Sequence, residues 1–253
     1  MTRRFDPRSA AAFLTATTRS AARQAANADQ PPAQPPATVP TPVQAPAPTR
    51  AGLSPACAIM QSSDPAVLAM IGQPDIAAVV WQRALPPALT EGLAALPADQ
   101  LPALRVQVPL AQVGPQVQAA CRASGLGDAG IRQALADDIA TLAQALAGVT
   151  GQTRLTLRLD PVSTDACRRF HIDNVRARLL CTYRGQGTQL AAPGRDATPD
   201  QLPTGAAAIL RGARWPGAQA TGLRHRSPPI AGSGETRLLL VIDPAGPEDM
   251  PPH

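Results

Sequence analysis

Apolar and polar positions change period about halfway along the chain. Over residues 128–146 the apolar side chains Ile131, Leu135, Ile139, Leu142 and Leu146 recur at intervals of three and four. That spacing predicts an amphipathic helix, with Asp128 as its N-cap and Gly148 near its end. Shorter helices are predicted over residues 87–96 and 115–124, and a strand over 77–81. Beyond residue 150 the period becomes two. Thr153-Arg-Leu-Thr-Leu-Arg-Leu159 alternates strictly, as a strand with one buried face does. Further strands are predicted over residues 168–173, 175–183, 205–210, 223–227 and 236–243, separated by turn signals at Gly185, Pro193-Gly194, Pro216-Gly217 and Gly232. With no helix among them long enough for a parallel crossover, these strands imply an antiparallel sandwich or barrel. No internal repeat is present.

The fold class expected is therefore α+β, a helical N-terminal half packed on an antiparallel C-terminal half. The domain plan has three parts: a disordered Arg- and Ala-rich tail and Pro-rich linker over 1–50, one α+β domain over 51–245 (helical part 51–150, β part 151–245), and a disordered tail over 246–253. Eight of the 29 prolines fall between Pro31 and Pro48, a composition with little to bury.

Composition removes several functional classes. All 23 basic residues are Arg, which excludes a P-loop lysine and a Schiff-base lysine. Six aromatic residues, widely spread, do not build a stacking platform for single-stranded nucleic acid. No apolar run approaches the ~18 residues of a membrane span. Met1-Thr-Arg-Arg-Phe5 has the look of an export signal, but Arg19 and Arg23 interrupt the apolar segment that should follow, so a cytoplasmic location is expected. Four scattered cysteines, Cys57, Cys121, Cys167 and Cys181, are read as reduced thiols. The net charge of +5 is local: residues 51–253 carry 17 Arg against 16 acids, while 151–253 carry 13 Arg against 9. The surplus surrounds the histidines and implies a small anionic ligand rather than nucleic acid or membrane.

Two of the three histidines fall in predicted strands. In Arg169-Phe-His171-Ile-Asp173 the period of two puts His171 and Asp173 on one face, and His225 follows after room enough for hairpins to return a strand beside them. Two His and a carboxylate make the facial triad of non-haem Fe(II) sites; the same atoms suit a catalytic zinc, and a His–Asp hydrogen bond is the plainer structural alternative. Arg237 opens the wholly apolar run Leu238-Leu-Leu-Val-Ile242 and is suited to a bidentate grip on a carboxylate. Arg176 and Arg178 are read as a solvated strand face. A Ser/His/Asp hydrolase is poorly supported, because there is no G-x-S-x-G elbow and nothing to activate Ser227.

Five motifs in order, Cys167-Arg-Arg-Phe-His-Ile-Asp-Asn-Val-Arg176, Thr182-Tyr-Arg-Gly-Gln-Gly-Thr188, Leu210-Arg-Gly-Ala-Arg-Trp-Pro-Gly217, His225-Arg-Ser-Pro-Pro229 and Arg237-Leu-Leu-Leu-Val-Ile-Asp243, resemble the bacterial domain of unknown function 1826 family. The resemblance runs over residues 51–244. It implies a link to zinc homeostasis, with a zinc-chaperone GTPase as partner. A more distant similarity is to the double-stranded β-helix (cupin-like) fold of Fe(II)/2-oxoglutarate oxygenases. It implies that His171, Asp173 and His225 bind Fe(II), and that Arg237, with Thr182 or Tyr183, holds the carboxylate of 2-oxoglutarate. Arg237 follows His225 at a slightly longer interval than is usual there, and the insert over residues 230–235 absorbs the difference. The alternative is a non-catalytic zinc-binding accessory protein in which Cys167 or Cys181 joins the histidines around Zn(II).

Overall fold

The computed structural model describes residues 54–165 and 167–246, which belong to one compact unit. The tail and linker expected over 1–50, and nearly all of the expected C-terminal tail, lie outside the described residues. The strands are β1 (Ala58–Ser62), β2 (Ile76–Trp81), β3 (Leu104–Pro109), β4 (Arg154–Val162), β5 (Ala177–Arg184), β6 (Gln189–Ala191), β7 (Asp200–Gln201), β8 (Ala207–Arg211), β9 (Arg224–Arg226) and β10 (Arg237–Pro244). The α-helices are α1 (Pro87–Ala95), α2 (Val113–Ala123) and α3 (Ala129–Thr150), and a 3-10 helix spans Pro65–Gly72. The fold is mixed α and β, built on a seven-stranded sheet of order β1-β2-β8-β5-β10-β4-β3 and a three-stranded sheet of order β7-β6-β9. Every pairing is antiparallel except β1 with β2.

α3 starts where Asp128 accepts a hydrogen bond from the Ile131 amide at 2.9 Å, and it stops at Gly151, whose φ of 69° is the left-handed conformation glycine adopts at no cost. Its buried residues Leu135, Ile139, Leu142 and Leu146 lie against Leu155, Leu157 and Leu159 of β4 and Leu238, Leu240 and Ile242 of β10. Each such side chain contributes about 1.5–3 kcal/mol by leaving water. The other face of the large sheet presents Leu180, Leu239 and Val241 to Leu190, Leu202 and Leu223 of the small-sheet layer. The central strands are thus buried on both faces, which explains the unbroken apolar run in β10.

Two expectations need correction. Residues 51–150 are not a helical half, because they supply β1, β2 and β3 to the large sheet. β3 is short and lies between Pro102 and Pro109, and proline is tolerated there because the strand is at the sheet edge. Residues 168–173 are not a strand either. His171 and His225 exchange both backbone hydrogen bonds at 3.0 Å, and the Ser227 amide donates to the Cys167 carbonyl at 3.1 Å. The chain runs from Cys167 to His171 on one side and only from His225 to Ser227 on the other. The excess bulges outward, helped by Cys167 at φ 60°, and leaves a single bridge.

The segment after the bridge docks on a turn rather than on a strand. Gly212, Ala213 and Arg214 donate backbone hydrogen bonds to Arg176, Asp173 and Val175 at 3.0, 2.8 and 3.0 Å. A Cβ on Gly212 would lie 1.9 Å from the Val175 carbonyl oxygen and 3.0 Å from that of Asp173. Gly212→Ala is therefore expected to lose about 1–3 kcal/mol of stability in urea unfolding. Gly148→Ala, at an exposed α3 position with open space around it, is expected to gain about 0.4–1 kcal/mol.

Candidate metal centre

His225 sits at the middle of β9, and the bridge sets His171 directly across from it, with ring centroids 4.5 Å apart. Asp173, two residues further on, places Oδ2 3.1 Å from His225 Nε2 and Oδ1 3.4 Å from His171 Nε2. Ligand atoms of the three residues lie within 4.8 Å of one another, and this is the group among the described residues with the composition and closeness of a metal site. His171 Nδ1 is 2.9 Å from the Arg169 carbonyl oxygen, which can only accept, so Nδ1 carries a proton and Nε2 is the ring nitrogen turned toward Asp173. Asp173 Oδ2 is buried, and the polar atom the structure places near it is His225 Nε2 at 3.1 Å, a contact that falls outside hydrogen-bond geometry. An unpaired buried carboxylate oxygen costs at least ~1–3 kcal/mol, and the donor set fits a divalent cation that would remove this cost.

Arg178 supports the carboxylate. Its Nη1 lies 2.5 Å from Asp173 Oδ1, while Nε and Nη2 donate to Asp243 at 2.7 and 2.6 Å. The side chain is only 16% exposed, so the expected solvated face is corrected: β5 is central, and its second face is covered as well. Asp243 did not figure among the expected site residues, although Arg237, Leu239, Val241 and Asp243 share one face of β10 by the period of two. Burial pushes the Asp173 carboxyl upward, but His225, Arg178 and His171 outweigh it and bring its pKa to about 2.

Arg237 is fully buried, and donates from Nε to the Gln186 carbonyl at 2.5 Å, from Nη1 to Ser227 Oγ at 3.1 Å and from Nη2 to Thr182 Oγ1 at 3.2 Å. No carboxylate of the described residues comes within ion-pair range of it, and desolvation lowers its pKa. Ser227 also lines the cavity that holds both histidines, together with Cys167, Arg158 and Arg226. That cavity has about 40 Å³, room for a water or two and far below the ~300 Å³ at which small-molecule pockets begin. Arg237 and Thr182 do not line it and connect to it through Ser227, and the space as it stands does not hold a dicarboxylate. A roomier cavity of about 550 Å³, between the Pro65–Gly72 helix and α3, is mainly apolar and holds none of these groups.

Two expected participants lie elsewhere. Tyr183 points to the helical face of β5, the opposite side from Thr182, where its hydroxyl donates to Asp138 Oδ2 at 2.5 Å beside the Arg83–Asp138 ion pair. Cys181 shares that face, and burial pushes its thiol to about 12, so it supplies no thiolate to the histidines. Cys167 is exposed at the cavity rim, outside the group of converging ligand atoms.

A family model described as "Protein of unknown function (DUF1826)" matches residues 62–243. The chain belongs to that family. No curated protein matches the sequence. Among solved structures, the dioxygenase for auxin oxidation of rice is similar at 12% identity, with 76% of this chain and 83% of that one covered and a TM-score of 0.42. The dioxygenase for auxin oxidation 1 of Arabidopsis thaliana in complex with 2-oxoglutarate gives 14% identity, 76% and 93% coverage and a TM-score of 0.40. A Pseudomonas putida prolyl-4-hydroxylase gives 15%, 66% and 93%, and 0.36. TM-scores this low place no weight on these proteins' chemistry, and the case for a metal centre rests on this chain's own residues.

The depressed carboxyl carries a pH signature in the metal-free protein. Its folded pKa lies below the ordinary 3.8, so its contribution is present above about pH 4 and is lost as pH falls toward 2. Urea unfolding between pH 5 and pH 2 is expected to show wild type losing about 2 kcal/mol more than Asp173→Asn. Parallel profiles would contradict the assignment.

Proposed function

We propose that the chain is a metal-dependent enzyme of the Fe(II)/2-oxoglutarate oxygenase kind, in which His171, Asp173 and His225 hold iron. The observation that carries this reading is the convergence of both imidazoles on one buried carboxylate, with His225 Nε2 3.1 Å from Oδ2 and His171 Nε2 3.4 Å from Oδ1. Two facing sheets with the triad between them agree with a double-stranded β-helix arrangement. Iron(II) in a two-His, one-carboxylate site keeps open positions at which oxygen and a co-substrate react.

The chain's own residues prepare that site. His171 is fixed in one tautomer by Arg169, and Asp173 is kept ionised by Arg178. Arg237 is a buried cation with Glu235 as its electrostatic neighbour and Thr182 and Ser227 as hydroxyl neighbours, and it would pair with the far carboxylate of a small dianion such as 2-oxoglutarate. Leu180, Leu239 and Val241 form an apolar wall of the cavity that holds both histidines. Because the cavity is small, binding of the dianion requires side chains at its rim, Arg158, Cys167 or Arg226, to swing outward.

Anaerobic reconstitution with Fe(II) is expected to give one ion per chain in wild type, and little in His171→Ala, Asp173→Ala or His225→Ala. Arg237→Ala is expected to retain iron but to bind 2-oxoglutarate about tenfold to a hundredfold more weakly by calorimetry. Full iron occupancy in all three ligand variants would remove the triad. Zinc with thiolate ligation and no 2-oxoglutarate binding would replace the oxygenase reading with the accessory one.

A further inference from the structure

We propose that Arg178, held from behind by Asp243, is a positioning residue that makes Asp173 a one-oxygen ligand. The inference rests on the metal site proposed above, and concerns how that site keeps positions open. Ile242 pairs with Leu179 across β10 and β5, so Asp243 and Arg178 are next in register on the face toward the small sheet. Nε and Nη2 of Arg178 take both oxygens of Asp243 in a fork, which fixes the plane of the guanidinium. Its remaining side, Nη1, is then aimed at Asp173 Oδ1 at 2.5 Å. Oδ1 is thereby committed to arginine. Oδ2 is left buried, without a hydrogen bond, on the side of His225.

A carboxylate free to rotate takes a cation with either one oxygen or both, and the second oxygen would fill a position that an oxygenase needs for co-substrate or oxidant. The fork prevents that rotation. Asp243 has a second effect through charge. Arg178 facing Asp173 alone would neutralise it and weaken it as a donor; with Asp243 taking two of the three hydrogen bonds, the trio carries one net negative charge toward the cation. A lysine has the charge but not the planar fork, and could not hold both carboxylates in these orientations.

The test uses the full chain loaded with Fe(II) without oxygen, with aspartate carboxylates labelled with carbon-13. The readouts are iron affinity and the infrared difference spectrum of loaded minus metal-free protein. A wide separation between antisymmetric and symmetric carboxylate stretches marks one-oxygen ligation, and a narrow one marks ligation through both. Wild type is expected to show the wide separation. Arg178→Gln is expected to show the narrow one with affinity lowered about tenfold to a hundredfold, and Arg178→Lys is expected not to restore it. Asp243→Asn keeps the shape at that position and is expected to move the spectrum the same way, which covers the case in which Arg178→Gln fails to fold. Iron bound through the histidines with a wide separation unchanged in both Arg178→Gln and Asp243→Asn overturns the positioning role while leaving the metal site standing. A wild type that binds no iron, or whose binding is untouched by His225→Ala, overturns both.

Discussion

Two backbone hydrogen bonds between His171 and His225 hold the site together. They join a loop with little regular structure of its own to the middle of β9, and they fix which face of each residue points inward. The bridge alone would leave Asp173 free to move. The docking of residues 173–176 on the turn at Gly212 secures the other end, where a side chain as small as alanine would strike the Val175 carbonyl. The triad is thus positioned by main-chain contacts at two points, and its side chains add ionic support afterward.

The large sheet separates two kinds of polar burial. Toward the helices, Arg83, Asp138 and Tyr183 satisfy one another and tie α3 to β5, with the Arg83 guanidinium stacked 4.5 Å over Trp81. On the same side Arg211 is buried with only the Ile71 and Gln73 carbonyls as acceptors, so a buried arginine here is also satisfied by backbone alone. On the other face, Arg178 is matched with two carboxylates, but Asp173 Oδ2 and the Arg237 cation are left incompletely paired. Buried charge with incomplete pairing is destabilising, and a bound ligand of opposite charge removes that cost. The proposed iron and dianion would complete the pairing of Asp173 Oδ2 and of Arg237 respectively.

Much of this was legible in the chain. The apolar spacing located α3 and its Asp128 cap, and alternation located β4, since Leu155, Leu157 and Leu159 must all face the helices. His171, Asp173 and His225 were found through residue economy, although the strand invoked to align the first two does not exist; the bridge and bulge do that work instead. Arg178 was misjudged because an alternating Arg on a strand looks solvated until the sheet order makes β5 central. Tyr183 was misjudged for a simpler reason: adjacent residues of a strand face opposite ways, so Thr182 and Tyr183 cannot both accompany Arg237. β3 escaped notice between its two prolines, which only an edge position accommodates.

The proposed function stands on a metal ion held by His171, Asp173 and His225 together. Crystals grown without oxygen in the presence of Fe(II), with diffraction recorded on either side of the iron absorption edge, test it directly. A single anomalous peak bonded to Nε2 of His171, Nε2 of His225 and one oxygen of Asp173 is expected. A peak ligated by other residues, or no peak between the histidines, would contradict it.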